Sequence, residues 1–269
     1  MLRNAKELEG YAVSATDGVI GHLKDFYLDD EKWVIRYLVV DTGGWLSSRK
    51  VLVSPIAVGT PNWEEMRLPV SISREQVSNS PDIDTDKPVS RQHEAMYAGY
   101  YGYPYYWGGA GYWAGGMYPN AMVESYGGFG GSDANPDEAQ RESVQDAHDD
   151  PHLRSCNAVI GHHIHASDGD IGHVASMLID EQTWAVRYLV VDTSNWWMGH
   201  QVLIAPQWIE AVNWSDRTVA VSMTRQAVKD APAYDPQTTM SPEDEDQLHE
   251  HHRRAGLLPG YPMRKGDLA

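Results

Sequence analysis

Between residues 11 and 72 the apolar positions come in short runs punctuated by turn residues, a pattern of strands rather than long helices. Tyr11 to Ser14 reads as a brief strand, Asp17-Gly18 as a hairpin turn, and Val19 to Leu28 as the returning strand. The polar run Asp29-Asp30-Glu31-Lys32 turns the chain into Trp33 to Asp41. There Trp33, Ile35, Tyr37 and Val39 alternate with Val34, Arg36, Leu38 and Val40, so both faces are largely apolar and the strand is covered on two sides. Gly43-Gly44 breaks it, Lys50 to Ser54 is a further strand ended by Pro55, and Met66 to Ile72 is the last. Five or six short strands with tight turns predict a small closed or nearly closed antiparallel barrel, since closure removes exposed edges. Ser73 then caps one helical turn that Pro81 stops, and Ser90 looks like the cap of a short helical arm over His93 to Tyr101.

The pattern returns. Trp33 to Thr42 recurs as Trp184 to Thr193, Asp17-Gly18-Val-Ile20-Gly21-His22 as Asp168-Gly169-Asp-Ile171-Gly172-His173, and Val51-Leu52 through Pro55 as Val202-Leu203 through Pro206. The offset of 151 residues holds through Glu94 and Glu245, which makes the chain two copies of one unit. In the second copy Thr224 opens the helical turn, Pro232 stops it, and Ser241 caps an arm over Asp244 to His252. The expected organisation is therefore a barrel over 1–80, an arm over 81–102, a connector over 103–151, a second barrel over 152–231, a second arm over 232–253 and a tail over 254–269. The connector has no counterpart. Its first half is Tyr, Trp and Gly, its second half polar and acidic, and such a composition reads as a flexible linker.

Composition changes the picture in three ways. The formal charge of −17, from 21 Lys and Arg against 38 Asp and Glu, repels polyphosphate and argues against nucleic acid as a partner. Cys156 is the single cysteine and stands opposite Ala5, so neither a disulfide framework nor a cysteine zinc site is expected, and a reducing cytoplasm is the natural compartment. No run reaches the roughly 18 apolar residues of a membrane helix, and no secretory signal opens the chain.

Gly10, the Asp17-Gly18-x-Ile20-Gly21 turn, the Arg36-Tyr37-Leu38-Val39-Val40-Asp41 strand and Val51-Leu52-Val-x-Pro55, all repeated in the second copy, resemble the PRC-barrel family. That family includes the cytoplasmic domain of the photosynthetic reaction centre H subunit and a domain of ribosome maturation factors. The resemblance covers roughly residues 2 to 80 and 153 to 231. It implies an all-β architecture of two tandem antiparallel PRC-type barrels, each with a short helical arm, and a role as a docking adaptor with no shared catalytic residues. The membrane helix of the H subunit and the additional N-terminal domain of the maturation factors are not seen in the sequence.

Candidate chemistry is sparse, and no cofactor is expected. The glycines of the connector alternate with aromatics and lack the GxxxxGK[ST] phosphate cradle. Asp17, Asp29 and Asp41 fall at strand ends, where turns use them. His163 and His165 share a strand face and are the sharpest metal candidates, with His162 beside them and His249, His251 and His252 on the arm; exposed edge histidines are the favoured reading, so no metal is assigned. His22 and His173 follow Ile-Gly in both copies and suggest an imidazole bonded to nearby backbone. Arg36 and Arg187, in an apolar strand, require a carboxylate if buried, with Asp29 or Asp41 at hand; the alternative is an outward clamp for a partner protein. Trp33, Trp45 and Trp63 match Trp184, Trp196 and Trp214 and suit core or rim packing. The connector aromatics Tyr103, Tyr105, Tyr106, Trp107, Tyr112 and Trp113 are the candidate contact surface, since Tyr and Trp dominate binding hot spots; folding back onto the barrels is the competing reading.

The expected function is a non-enzymatic cytoplasmic adaptor that acts by protein–protein contact. The alternatives are an H-subunit-like accessory of the photosynthetic light reaction, held peripherally on a membrane complex, and a metal- or small-ligand-binding regulator. Pairing of the barrels within one chain, or between chains, is left open.

Overall fold

The computed structural model describes residues 1–46, 49–81, 89, 91–103, 152–193, 200–238 and 240–254. In the first repeat a short strand β1 (Leu2–Asn4) enters helix α1 (Ala5–Leu8), whose Asn4 side chain accepts the Lys6 N–H. Strands β2 (Ala12–Ala15), β3 (Gly18–Asp29), β4 (Val34–Asp41) and β5 (Lys50–Val53) follow as antiparallel neighbours. Val34 through Val40 are all buried, so β4 is covered on both faces, as its alternation implies. β6 is Arg67–Pro69, helix α2 is Arg74–Ser78, closed by a Ser73–Gln76 capping box, and α3 is the arm, Arg91–Tyr101. The second repeat runs β7 (Leu153–Ser155), α4 (Cys156–Val159), β8 (His163–Ala166), β9 (Gly169–Asp180), β10 (Val186–Asp192), β11 (Gln201–Ile204), β12 (Ile209–Asn213), β13 (Thr218–Val221), α5 (Arg225–Lys229) and α6 (Pro242–Arg254).

These strands form two mixed sheets. One has the order β5-β4-β3-β2-β6, with β7 also on β3; the other has β11-β10-β9-β8-β13-β12, with β1 also on β9. No ring of pairings closes among the described residues, and the sheets are mixed, which corrects the expectation of a closed or nearly closed antiparallel barrel in its full closure and its all-antiparallel pairing. β2 pairs with β6 in parallel, and so does β8 with β13. Pro55 is the cause: instead of reversing the chain it opens a 3-10 turn, Pro55–Ala57, beyond which the backbone continues in the direction of β5. Its bridges Val58↔Val70 and Asn62↔Arg67 are antiparallel, so the next strand arrives parallel to β2.

Gly21 and Gly172 explain the Ile-Gly-His motif. A Cβ on either would lie 2.0 Å from the Asp41 carbonyl oxygen or 1.9 Å from that of Asp192, so only glycine lets the two strands approach.

The described chain divides into two compact units. The second is Met1–Leu2, Val159–Leu178 and Arg187–Ala269; the first is Arg3–Ala158 with Ile179–Val186. The first unit thus contains pieces of the second repeat. β7 lies antiparallel on β3, with Tyr27 opposite Ser155 and Asp29 opposite Leu153. Trp184 packs on Phe26 at 6.3 Å, and its carbonyl accepts the Ile35 N–H. The polar turns are built alike: Asp29 accepts the N–H groups of Glu31 and Lys32, Asp180 those of Gln182 and Thr183. Trp33 and Trp184 then adopt left-handed backbone, φ 52° and 59°. A tryptophan there costs of order 1 kcal/mol, offset by burial of its ring.

Candidate functional site

Each repeat lays its C-terminal arm on its sheet. In the first unit Glu94 of α3 is fully buried (0 % exposed) and accepts a hydrogen bond from the Arg36 guanidinium of β4, itself 3 % exposed; Asp29 lies 3.5 Å from the same guanidinium. Asp29 is thus one of the carboxylates that the apolar strand demanded, whereas Asp41 accepts the Gly43 N–H instead. Around this pair the arm is aromatic. The Tyr97 hydroxyl accepts the Ser54 N–H at 2.9 Å, and its ring meets Tyr37 edge-on at 5.3 Å. Tyr101 and Tyr103 stack at 5.4 Å, both against a core that includes Tyr27, Val39, Leu52 and Leu153. Tyr100 reaches outward and donates to the Gln76 carbonyl of α2 at 2.9 Å. Burial pushes the Tyr97 and Tyr103 phenols up and takes Tyr101 to about 12, so these three phenols stay uncharged through the physiological range.

The second unit repeats the plan with different side chains. Arg187 of β10 bonds Glu245 of α6 at 2.7 Å, again 58 residues away, but both side chains keep contact with solvent. The Tyr188 hydroxyl bridges Glu245 at 3.2 Å and His249 at 2.9 Å. His251 stands where Tyr100 does and bonds the Ala227 carbonyl at 3.0 Å, Ala227 being the counterpart of Gln76. His252, the counterpart of Tyr101, is buried on the Trp208 ring at 4.1 Å. Burial, then the neighbouring His251 and His249, lowers the His252 pKa to about 4; burial is also the main cause of the lowered His249 pKa, with Glu245 opposing and Arg187 assisting.

The docking carboxylate was the residue that sequence reasoning missed. A signal existed: Arg and Glu are both kept in both copies at the same separation, which two paired side chains require and two unrelated ones do not.

The other candidates take structural places. Tyr103 folds back on the arm, its N–H donating to the Ala98 carbonyl, while Tyr105, Tyr106, Trp107, Tyr112, Trp113 and Trp196 lie outside the described residues. Trp33 and Trp184 are buried, the Trp45 indole donates to the Ile20 carbonyl beneath Arg74, and Trp63 carries the Arg3 guanidinium at 4.1 Å. His22 and His173 make no hydrogen bond to the turn among the described residues; they point outward because Gly21 and Gly172 fill the buried positions beside them. His162 is buried edge-on to Trp214 at 5.4 Å, and His165 pairs with Asp170 at 2.5 Å. Cys156 is buried, and burial with Asp25 and Glu9 nearby pushes its thiol well up, away from the reactive thiolate. Among the described residues no three His, Cys, Asp or Glu side chains are placed to share an ion.

A cleft of about 170 Å³ lined by Leu203, Pro232, Tyr234, Met240, Asp244 and Leu248 falls below the roughly 300–1,000 Å³ of ligand pockets. No helix among the described residues is long and apolar enough to cross a membrane.

With a double-covered strand, the Asp-Gly turn and the glycine close approach in place, comparison with known families decides the identity of the first repeat. Residues 2–64 form a PRC-barrel domain. No curated protein matches the chain. The ion pair of the first arm therefore joins Arg36, inside the PRC-barrel domain, to Glu94, outside its matched residues.

Proposed function

We propose that the protein is a non-enzymatic adaptor acting by protein–protein contact, that its second repeat is a second PRC-barrel domain, and that the aromatic stretch after α3 is the contact surface. One observation carries this reading. The outer face of α3 leaves Met96 (45 % exposed) and Tyr100 (41 % exposed) one turn apart in solvent, and in the sequence Tyr105, Tyr106, Trp107, Tyr112 and Trp113 follow that helix. Large aromatics with few rotatable bonds supply contact area at low entropic cost. The Arg36 side chain, consumed by Glu94 and Asp29, serves this surface by holding the arm in place.

The test is to replace Tyr105, Tyr106, Trp107, Tyr112 and Trp113 by Ser, leaving Tyr103 because it packs on the sheet. Circular dichroism and melting of the variant should be unchanged, while proteins recovered with the wild-type chain from its native host should be lost. Recovery of the same proteins in the same amount would reduce the stretch to a spacer. Recovery of light-harvesting or reaction-centre proteins with the wild-type chain would select the photosynthetic accessory among adaptors.

A further inference from the structure

We propose that His163 and His173 chelate a late first-row divalent ion, with Zn²⁺, Ni²⁺ and Cu²⁺ the fitting candidates, on the outer face of the β8–β9 hairpin. This goes beyond the adaptor reading and does not depend on it. Along the sequence His163 and His165 stand two residues apart on one strand. The register instead sets His163 opposite His173 across two.

The backbone shows how close the two imidazoles come. The His163 N–H points away from β9 and donates to the Arg217 carbonyl at 2.8 Å. His163 and His173 therefore form a non-hydrogen-bonded antiparallel pair, the closer kind, with Cα atoms about 4.5 Å apart and Cβ atoms about 5 Å apart. Directly opposed side chains share a face. Here it is the outer face, because Ile164 is fully buried while His163 is exposed. Two imidazoles on Cβ atoms so spaced can turn their nitrogens onto one ion at about 2.0–2.1 Å, water completing the coordination. Neither imidazole is engaged in a hydrogen bond among the described residues, whereas His165 is held by Asp170 at 2.5 Å. A ligand set of two neutral nitrogens, without a thiolate, favours the late divalent ions and disfavours Mg²⁺ and Ca²⁺.

The molecule contains its own control. In the first repeat the same register sets Ala12 opposite His22, so one ligand stands on an equivalent backbone and the other is absent.

The experiment is calorimetric titration of the full-length chain with ZnCl₂, NiCl₂ and CuCl₂. Wild type is compared with His163→Ala, His173→Ala, His165→Ala and Ala12→His, and metal-free melts verify that each variant folds. One ion should bind per chain, and either His163→Ala or His173→Ala should weaken it by about tenfold or more, since a single imidazole no longer chelates. His165→Ala should change affinity by less than either. Ala12→His should add a second equivalent of the same affinity class. The proposal is overturned if His163→Ala and His173→Ala bind as wild type does, if His165→Ala abolishes binding while they do not, or if Ala12→His adds no second ion.

Discussion

The two arms answer the same problem with different chemistry. Both are tied to a central strand by an Arg–Glu pair 58 residues apart, and both touch the preceding short helix through a ring bonded to one carbonyl, Tyr100 to Gln76 and His251 to Ala227. In the first arm the ion pair is sealed and the surrounding rings are tyrosines that stay neutral. In the second the pair is partly wet and the rings are histidines beside a tryptophan. Docking geometry is thus common to the repeats, whereas arm rings that titrate with a lowered pKa are seen in the second.

The largest expected effect concerns the sealed pair. Arg36→Met leaves Glu94 and Asp29 buried without their cation and should lower stability by about 3–5 kcal/mol, whereas Arg187→Met, at a hydrated pair, should cost about 1 kcal/mol. Denaturant unfolding of the two variants measures the difference, and equal losses would break the comparison.

Acid should separate the arms next. His252 is neutral when folded, with a pKa of about 4 against an ordinary 6.5, so its contribution is complete above pH 6.5 and disappears as pH falls toward 4. At about 1.4 kcal/mol per unit this amounts to roughly 3 kcal/mol, with His249 acting in the same direction. The groups that set it are His251 and His249 on the same helix and Trp208 beneath, with Glu245, Arg187, Asp246 and Arg253 acting through His249. Amide exchange over residues 242–254 should accelerate between pH 7 and pH 5 relative to that expected from the intrinsic rate, and over 91–103 it should not. His252→Phe should flatten that response; an unaltered response would place the acid sensitivity elsewhere.

The smallest effect is the shared tether. Tyr100→Phe and His251→Phe each remove one bond to a carbonyl on the short helix and should cost about 0.5–1.5 kcal/mol apiece. Similar losses would confirm that the two rings do one job. A cost confined to His251→Phe would show that the first arm is held by its ion pair and tyrosine stack without the Tyr100 bond.

Much of this was legible beforehand. The caps at Ser73 and Thr224, the turn aspartates, the double coverage of β4 and the need of Arg36 for a carboxylate all follow from local spacing, and Asp29 was within local reach. Glu94 was not, because nothing near it in the chain marks it as buried. The parallel closure of β2 on β6 was hidden for a related reason: a proline that ends a strand is compatible with a reversal or with a 3-10 turn, and only the strand that receives the chain chooses. The pairing of His163 with His173 needed a register with a bulge in it, which no count along the sequence supplies.

By itself, then, the sequence determined most of the strands and the capped helical turns, since hydrophobic period, glycine, proline and caps act over a few residues. The tertiary structure alone decided which pieces share a unit. Leu153–Ser155 and the turn at Trp184 join the sheet of the first repeat although they belong to the second, because a free strand edge accepts any backbone with suitable donors and acceptors. Strand pairing reads geometry, and three residues of β7 carry too little side-chain pattern to announce their partner.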